Sequence, residues 1–447
     1  MTRKTDVPEA EQPYQIPDNW RWATIGAVST LYRGVSYQKG DAHTVKGEDD
    51  ILILRGGNIG EGHIDTDSDN VYVNSSLVCK HQIICKHDIL IIGSTGSKTV
   101  IGRAGIALEN YNDVAFGAFL ILVRPAETIN PQYLDYYFLS DDYRNRMKRL
   151  SKGININNIR ADYITRCPVP FPPLAEQQRI VERIESLFAK LDAARENAQS
   201  VLDGAATRKA AILHRAFSGD LTRQWRENNG VSFDSWLQLG FEACVEKMQN
   251  GLAKRKGTTG NPVVVLRLAN LSDDGFLTDD LREIVLDEKE QSSYLLHPGD
   301  ILMIRVNGSK ENVGKQFLIT RQNAWAFCDH IIRMKCSQNI QPEYMTLFSK
   351  SETYKQYVKS HIVSSAGQNT ISRRAMADLV IPVPTMGEQR EIVRLLSEML
   401  EKEQETRDNA RQVLDNIDAM KRVILGRAFR GELGTNRPSE AAPEASR

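Results

Sequence analysis

The sequence predicts an α+β fold: two β-rich α/β globules related by a pseudo-two-fold axis and separated by two long antiparallel coiled-coil helices. Three observations carry the prediction. The chain repeats itself at a fixed offset, each copy begins with short apolar runs bounded by turn residues, and each copy ends in a proline-rich exit followed by a heptad pattern.

The repeat comes first because it sets the architecture. Leu54-Arg55-Gly56-Gly57-Asn58-Ile59 matches Leu266-Arg267-Leu268-Ala269-Asn270-Leu271, an offset of 212 (267 minus 55). The same offset pairs Asp88-Ile89-Leu90 with Asp300-Ile301-Leu302, and Gly96-Ser97-Lys98 followed by Gly102-Arg103 with Gly308-Ser309-Lys310 followed by Gly314-Lys315. Pro131 and Tyr133 meet Pro342 and Tyr344 after a one-residue slip, and Arg215-Ala216-Phe217 meets Arg427-Ala428-Phe429 in the original register. The segments Tyr37 to Asp50 and Ala253 to Asn261 differ in length and in residues. Two copies of one frame therefore carry two different surfaces.

Ile51–Leu54, Ile89–Ile92, Phe119–Val123, Val263–Leu266, Ile301–Ile304 and Ile331–Met334 are apolar runs of buried-strand length bounded by Gly, Asp or Asn. Gly60-Glu61-Gly62 and Asp273-Asp274-Gly275 mark turns. Helical spacing of Tyr and Leu or Phe follows over Gln132–Leu150 and Glu343–His361. Pro168-Val169-Pro170-Phe171-Pro172-Pro173, mirrored by Pro382-Val383-Pro384, then predicts a helix starting at once, since proline is tolerated only before a helix or in its first turn.

The predicted helix over Leu174–Phe217 has apolar residues at Ile180, Ile184, Leu187, Leu191, Ala194, Ala198, Val201 and Ala205, alternating by four and three. Its partner has Ile392, Leu396, Met399, Ala410, Val413, Ile417, Met420 and Ile424, with Glu403 and Thr406 as polar seam positions that can set register. A helix of that length, roughly 65 Å, cannot bury its own seam, so the two are expected to pack together antiparallel. The expected division is a disordered tail over 1–16, a globule over 17–172, a helix over 173–217, a connector over 218–231, a second globule over 232–384, a second helix over 385–429 and a tail over 430–447.

Composition narrows the function classes. The chain has 447 residues, enough apolar material at 41% for two cores, and a balance of 57 basic against 57 acidic residues that provides no bulk attraction to a polyanion. Any nucleic-acid binding must rest on local clusters. No apolar run reaches membrane-spanning length, and the first twenty residues have no signal-peptide core, so a soluble, cytoplasmic protein is expected. The six cysteines lack CxxC spacing and an adjoining histidine cluster, which argues against zinc and redox motifs.

Catalytic constellations fail on spacing or on the repeat. Gly56 to Gly62 looks like a nucleotide loop, yet its counterpart Leu268 to Asp274 lacks the glycines. Gly93-Ser94-Thr95-Gly96-Ser97-Lys98-Thr99 lacks phosphate-loop spacing, and Phe171-Pro172-Pro173 has the wrong order for a methyltransferase motif. No catalytic residue and no metal ligand set is assigned. What remains is the paired basic loop: Ser97, Lys98 and Arg103 in the first copy, Ser309, Lys310 and Lys315 in the second. Small residues there let backbone N–H groups approach a phosphate, while the cations supply charge-assisted bonds. The alternative is a glycine-rich strand connection with solvated charges. Lys254, Arg255 and Lys256 form a second basic run, again either contact or solvated loop.

The exit Pro172-Pro173-Leu174-Ala175-Glu176-Gln177-Gln178-Arg179-Ile180-Val181, its echo Pro384 to Val393, the Asn155 to Ile159 and Asn369 to Ile371 approaches, and the Pro17-Asp18-Asn19-Trp20 opening together resemble the specificity subunit of type I restriction-modification systems. The resemblance spans about Pro17 to Leu433; the second copy departs from it by opening Phe233-Asp234-Ser235-Trp236 without the proline. It implies two target recognition domains, each binding one half of a split, asymmetric site in double-stranded DNA, and helices that set the spacing and dock partners. Two modification subunits with adenine methyltransferase activity and restriction subunits that translocate DNA are the implied partners; S-adenosylmethionine, ATP and Mg belong to them, and this chain is implied to hold no cofactor and no catalytic site. Glu176, Gln177, Ile180, Ile184 and Leu187, with Glu388, Gln389, Ile392, Leu396 and Met399, are the expected docking and seam residues.

Residues identical in both copies cannot by themselves separate two half-sites. Arg55, Asn58, Arg267 and Asn270 are thus expected to be structural or phosphate-facing, and base contacts to lie in the divergent loops. A coiled-coil scaffold that joins proteins without reading DNA is the competing reading.

Overall fold

The computed structural model describes residues 7–97, 99–152, 158–272, 275–365 and 367–441. The chain divides into two units: unit 1 is Met1–Ala198 with Gln412–Arg447, and unit 2 is Gln199–Arg411.

Each unit is built on the same two sheets. In unit 1 a four-stranded antiparallel sheet runs in the order Ser29–Arg33, Leu120–Pro125, Ile89–Ile92, Ala104–Ile106, and a three-stranded sheet in the order Tyr72–Asn74, Asp50–Leu54, Val114–Phe116. Unit 2 repeats both with Val245–Asn250, Ile331–Cys336, Ile301–Ile304, Gln316–Leu318 and with Glu283–Leu286, Asn261–Leu266, Trp325–Phe327. The central strands read as continuous apolar runs because both faces are covered. Ile89 and Ile91 pack into the cluster that includes the helices, while Leu90 and Ile92 pack with Leu54 and Phe116 of the smaller sheet.

The helical stretch after each sheet is split into two helices. Pro131–Leu139 stops at Ser140 before Asp141–Lys152, and Pro342–Phe348 stops before Glu352–His361. Serine explains the breaks. Ser351 Oγ accepts from Tyr354 N at 3.3 Å, and the buried Ser140 hydroxyl donates to Tyr137 O at 2.6 Å, so each serine diverts backbone groups and starts a new helix. The proline-rich exits also differ from expectation: Pro168–Phe171 pairs antiparallel with Arg21–Thr24, and Val380–Val383 with Leu237–Gly240. In these two-stranded ribbons a proline carbonyl still accepts. Tyr133 and Tyr137 donate their hydroxyls to Pro170 O at 2.9 Å and Pro168 O at 2.5 Å, and Tyr344 to Pro382 O at 2.6 Å.

The long helices are Leu174–Phe217 and Met386–Phe429, each of 44 residues. Each begins in one unit and ends in the other. Within unit 1 the pairs Asp192–Lys421, at 2.6 Å, and Arg195–Asp418 run in opposite residue order, so the halves present there are antiparallel. Within unit 2 Arg208 grips both oxygens of Glu403 at 3.0 and 2.8 Å. The polar seam position at Glu403 thus carries an ion pair. Thr406 is exposed and only donates to Lys402 O, so it does nothing for register.

The seam itself departs from a strict heptad. Ala410 and Ile417 are buried, but Val413 is 41% and Met420 51% exposed, and Leu425, Ala428 and Phe429 take over the contact. A straight helix of 3.6 residues per turn drifts by about 20° per heptad, so a 3.5-residue stripe walks out of the interface over this length.

The expected tails over 1–16 and 430–447 are corrected over 7–16 and 430–441; 1–6 and 442–447 lie outside the described residues. Tyr14 stacks edge-on against Trp22 with ring centroids 5.0 Å apart, and the Arg430 guanidinium lies 5.1 Å from the Tyr14 ring centre. Asn19 donates to the carbonyls of Arg437 and Glu440 at 3.1 and 3.0 Å, and Arg179 holds the Glu440 carboxylate at 3.2 and 2.8 Å. The segments 7–16 and 430–441 therefore pack on unit 1. Among the described residues no helix is long and apolar enough to cross a membrane.

Candidate nucleic-acid interface

The repeated Glu-Gln pair at the start of each long helix is completely buried, which removes it from partner docking. Glu176 Oε2 accepts from Trp20 Nε1 at 3.0 Å, and Oε1 from Thr435 Oγ1 at 3.5 Å. Gln177 accepts from Asn130 N at 2.8 Å and donates to Pro172 O at 2.9 Å. Unit 2 copies this: Glu388 accepts from Trp236 Nε1 at 3.0 Å and Thr222 Oγ1 at 2.6 Å, and Gln389 accepts from Gln341 N at 2.8 Å and donates to Pro384 O at 2.9 Å. Unit 2 adds Arg226, whose Nη1 lies 2.6 Å from Glu388 Oε1. The pair fastens helix, globule and a segment beyond the other helix's end. Ile180 and Ile184, like Ile392 and Leu396, are buried in the globule cores, and only Leu187 and Met399 remain half-buried.

Burial raises the Glu176 carboxyl above its ordinary value, against the opposing Trp20 bond. Burial likewise pushes Asp135 up to about 6, opposed by His87 Nδ1 at 2.6 Å. A carboxyl raised in the folded state binds more protons there than in the unfolded chain. Its stabilisation is greatest at low pH and is lost as pH rises from the unfolded value of 3.8 towards 6. Over that window Asp135 is expected to lower stability by up to about 1.4 kcal/mol per pH unit. Urea titrations of the wild type and Asp135→Asn across the window should diverge by that slope, and parallel profiles would refute the assignment.

Asn58 and Asn270 are frame residues. Each is 1% exposed; Asn58 Oδ1 accepts from Arg55 N at 2.8 Å, and its Nδ2 donates to Asp65 O and Ser68 O. Asn270 does the same with Arg267 N, Leu277 O and Asp280 O. These amides have no group left for DNA. Arg55 pairs with Asp69, and Arg267 with Asp280 at 2.8 Å. Lys254 pairs with Glu290 at 2.7 Å, and Arg255 holds both oxygens of Asp329 at 2.9 and 3.1 Å. The basic run 254–256 is therefore largely neutralised within its own unit, with Lys256 left exposed.

The paired glycine loops are held by tertiary bonds. Gly102 and Gly314 have φ of 70° and 83°, and an added Cβ would come within 2.8 Å of Met147 and 2.7 Å of Val358. Tyr143 and Tyr354 donate to their carbonyls at 3.1 and 2.8 Å. Asn369, the repeated asparagine of the approach motif, donates to Asn307 O and Gly308 O at 3.3 and 2.8 Å. Ser309 and Lys310 are exposed on this loop, as is Ser97 on its counterpart; Arg103 and Lys315 are half-buried. Lys98 and Asn155 to Asn157 lie outside the described residues.

One grouping was missed from sequence. The donor atoms of Cys328, Asp329 and His330 lie within 4.8 Å of one another. Both Asp329 oxygens are taken by Arg255, and burial raises the Cys328 thiol, so the trio is poorly suited to a cation.

Known proteins match this arrangement. The family described as the type I restriction modification DNA specificity domain matches residues 17–201 and 257–412. The StySPI specificity subunit of Salmonella potsdam is 35% identical over 422 residues, covering 94% of this chain and 90% of that protein. The EcoKI specificity subunit of Escherichia coli K12 is 31% identical over the same shares. The crystal structure of the HsdS subunit from Thermoanaerobacter tengcongensis has the same fold, with a TM-score of 0.66 at 17% identity over 95% of this chain and all of that one. The chain belongs to the family of type I restriction-modification DNA specificity subunits.

Proposed function

We infer that the chain supplies DNA sequence specificity to a type I restriction-modification complex, each unit binding one half of a bipartite, asymmetric site. The observation that carries this reading is the duplicated frame: the same sheets, the same pinned glycine loops and the same buried Glu-Gln pair present different residues at their rims. One frame used twice with different rims suits two different half-sites. The helices, shared between the units, set the gap and offer surfaces to the modification and restriction subunits. Catalysis, with S-adenosylmethionine, ATP and Mg, is assigned to those partners; among the described residues the two units share no nucleophile, base or ligand constellation. The scaffold alternative gains no support from any observation.

The test is binding by the chain in complex with its modification subunits. A bipartite duplex selected from a random library should be bound in preference to others, with affinity falling by about 1000-fold or more between about 50 and 200 mM salt as phosphate contacts are screened. Indifference to sequence at every salt concentration would refute the reading.

A further inference from the structure

Four segments remote in sequence, among them the divergent stretch Ala253 to Asn261, meet in unit 2 around one cleft of about 240 Å³. Lys254, Arg255, Arg267, Arg282, Cys328 and His330 contribute its polar lining, and no acidic residue lines it. Glu290, Asp329 and Asp280 pair with Lys254, Arg255 and Arg267. Arg282 differs. Its Nη2 donates to Arg255 O at 2.8 Å, and among the described residues it has no carboxylate partner, so the rest of its fork is unspent. The cleft also adjoins the basic loop, because His330 O accepts from Arg305 N and Val306 N at 2.8 and 3.3 Å, and Val306 lies two residues before Gly308.

Backbone pairing aligns this cleft with unit 1 residue by residue. Val265 N donates to Arg282 O as Ile53 N does to Val71 O, both at 2.8 Å, so Val71 stands where Arg282 does. Phe119 O accepts from Gly93 N and Ser94 N as His330 O does from its pair, so Phe119, 68% exposed, stands for His330. Leu252 and Val35 make the same bridge, to Cys328 and Gly117, which puts Tyr37 and Gln38 opposite Lys254 and Arg255. The backbone and Arg55 or Arg267 are shared, while Tyr37, Gln38, Val71 and Phe119 of unit 1 give way to Lys254, Arg255, Arg282 and His330 in unit 2.

We propose, resting on the reading above, that this cleft is where unit 2 reads its half-site and that Arg282 is a specificity-determining residue donating to the N7 and O6 acceptors of a guanine. A guanidinium is the donor fork that matches this edge, and a neighbouring carbonyl limits its freedom before DNA arrives. Unit 1 has valine at this position and cannot make that contact.

The experiment compares the complex carrying the wild-type chain, Arg282→Ala and Arg282→Lys by selection from a bipartite duplex library. Arg282→Ala should lose about 10- to 100-fold discrimination at one G·C pair of one half-site, Arg282→Lys, which lacks the planar fork, a measurable part of it, and both should keep the other half-site intact. Lysine retains the charge and should retain the fold, so it carries the test should the alanine variant misfold. Unchanged selection in both halves overturns the proposal, and so does a uniform loss of affinity for all sequences, which would make Arg282 a phosphate contact. A wild-type complex that selects no bipartite site overturns the functional reading beneath it, a result distinct from either.

Discussion

Replacing Glu388 by alanine is expected to destabilise unit 2 by about 3–5 kcal/mol, the usual cost of stranding a buried charge. Arg226 is 7% exposed and has Glu388 as its ion-pair partner; Thr222 and Trp236 lose their acceptor in the same substitution. The opening should be local. Hydrogen exchange should accelerate in peptides covering 218–236 and 386–396 before the rest of unit 2 responds. Glu176→Ala should cost less, because its partners are a neutral indole and a distant hydroxyl. Equal losses, or less than about 1 kcal/mol at Glu388, would mean that Arg226 finds other solvation and that the latch contributes little.

Inserting seven residues into both long helices, after Ala198 and before Gln412, should lengthen the gap between the half-sites by about three base pairs. Seven helical residues add about 10 Å, and base pairs stack at about 3.4 Å. These points fall at the division between the units, so Asp192–Lys421 and Arg195–Asp418 on one side and Arg208–Glu403 on the other keep their partners. An insertion into one helix alone shifts one member of every pair on one side and should lose activity. Methylome mapping of cells expressing the chain with its partners reads the outcome. A changed half-site, or an unchanged gap, would refute the spacer role.

Frame and helices were legible because their signals are local or periodic. The Asp-Ile-Leu and proline exit repeats, the apolar runs and the four-three spacing each depend on neighbours a few residues away. The docking role expected of Glu176, Gln177, Glu388 and Gln389 failed for a different reason. Repetition marks a residue as needed, but a buried acceptor and an exposed contact look identical until burial is known. The same holds for Asn58 and Asn270, whose repetition reflects a loop they hold together. Lys254 and Arg255 looked like free charge because Glu290 and Asp329 lie 36 and 74 residues further along the chain.

The amino-acid sequence by itself determined that this chain is one unit written twice, with two long helices and diverging loops, because strand burial, helix initiation and heptad spacing are encoded within short windows. Tertiary structure alone decided where the ends go and what the loops build. The segment after each long helix completes the unit in which that helix ends, placing Thr222 on Glu388 and Thr435 on Glu176. Three loops that the chain order keeps apart close on one cleft, and only packing, which ignores sequence distance, could bring Arg255, Arg282 and His330 together.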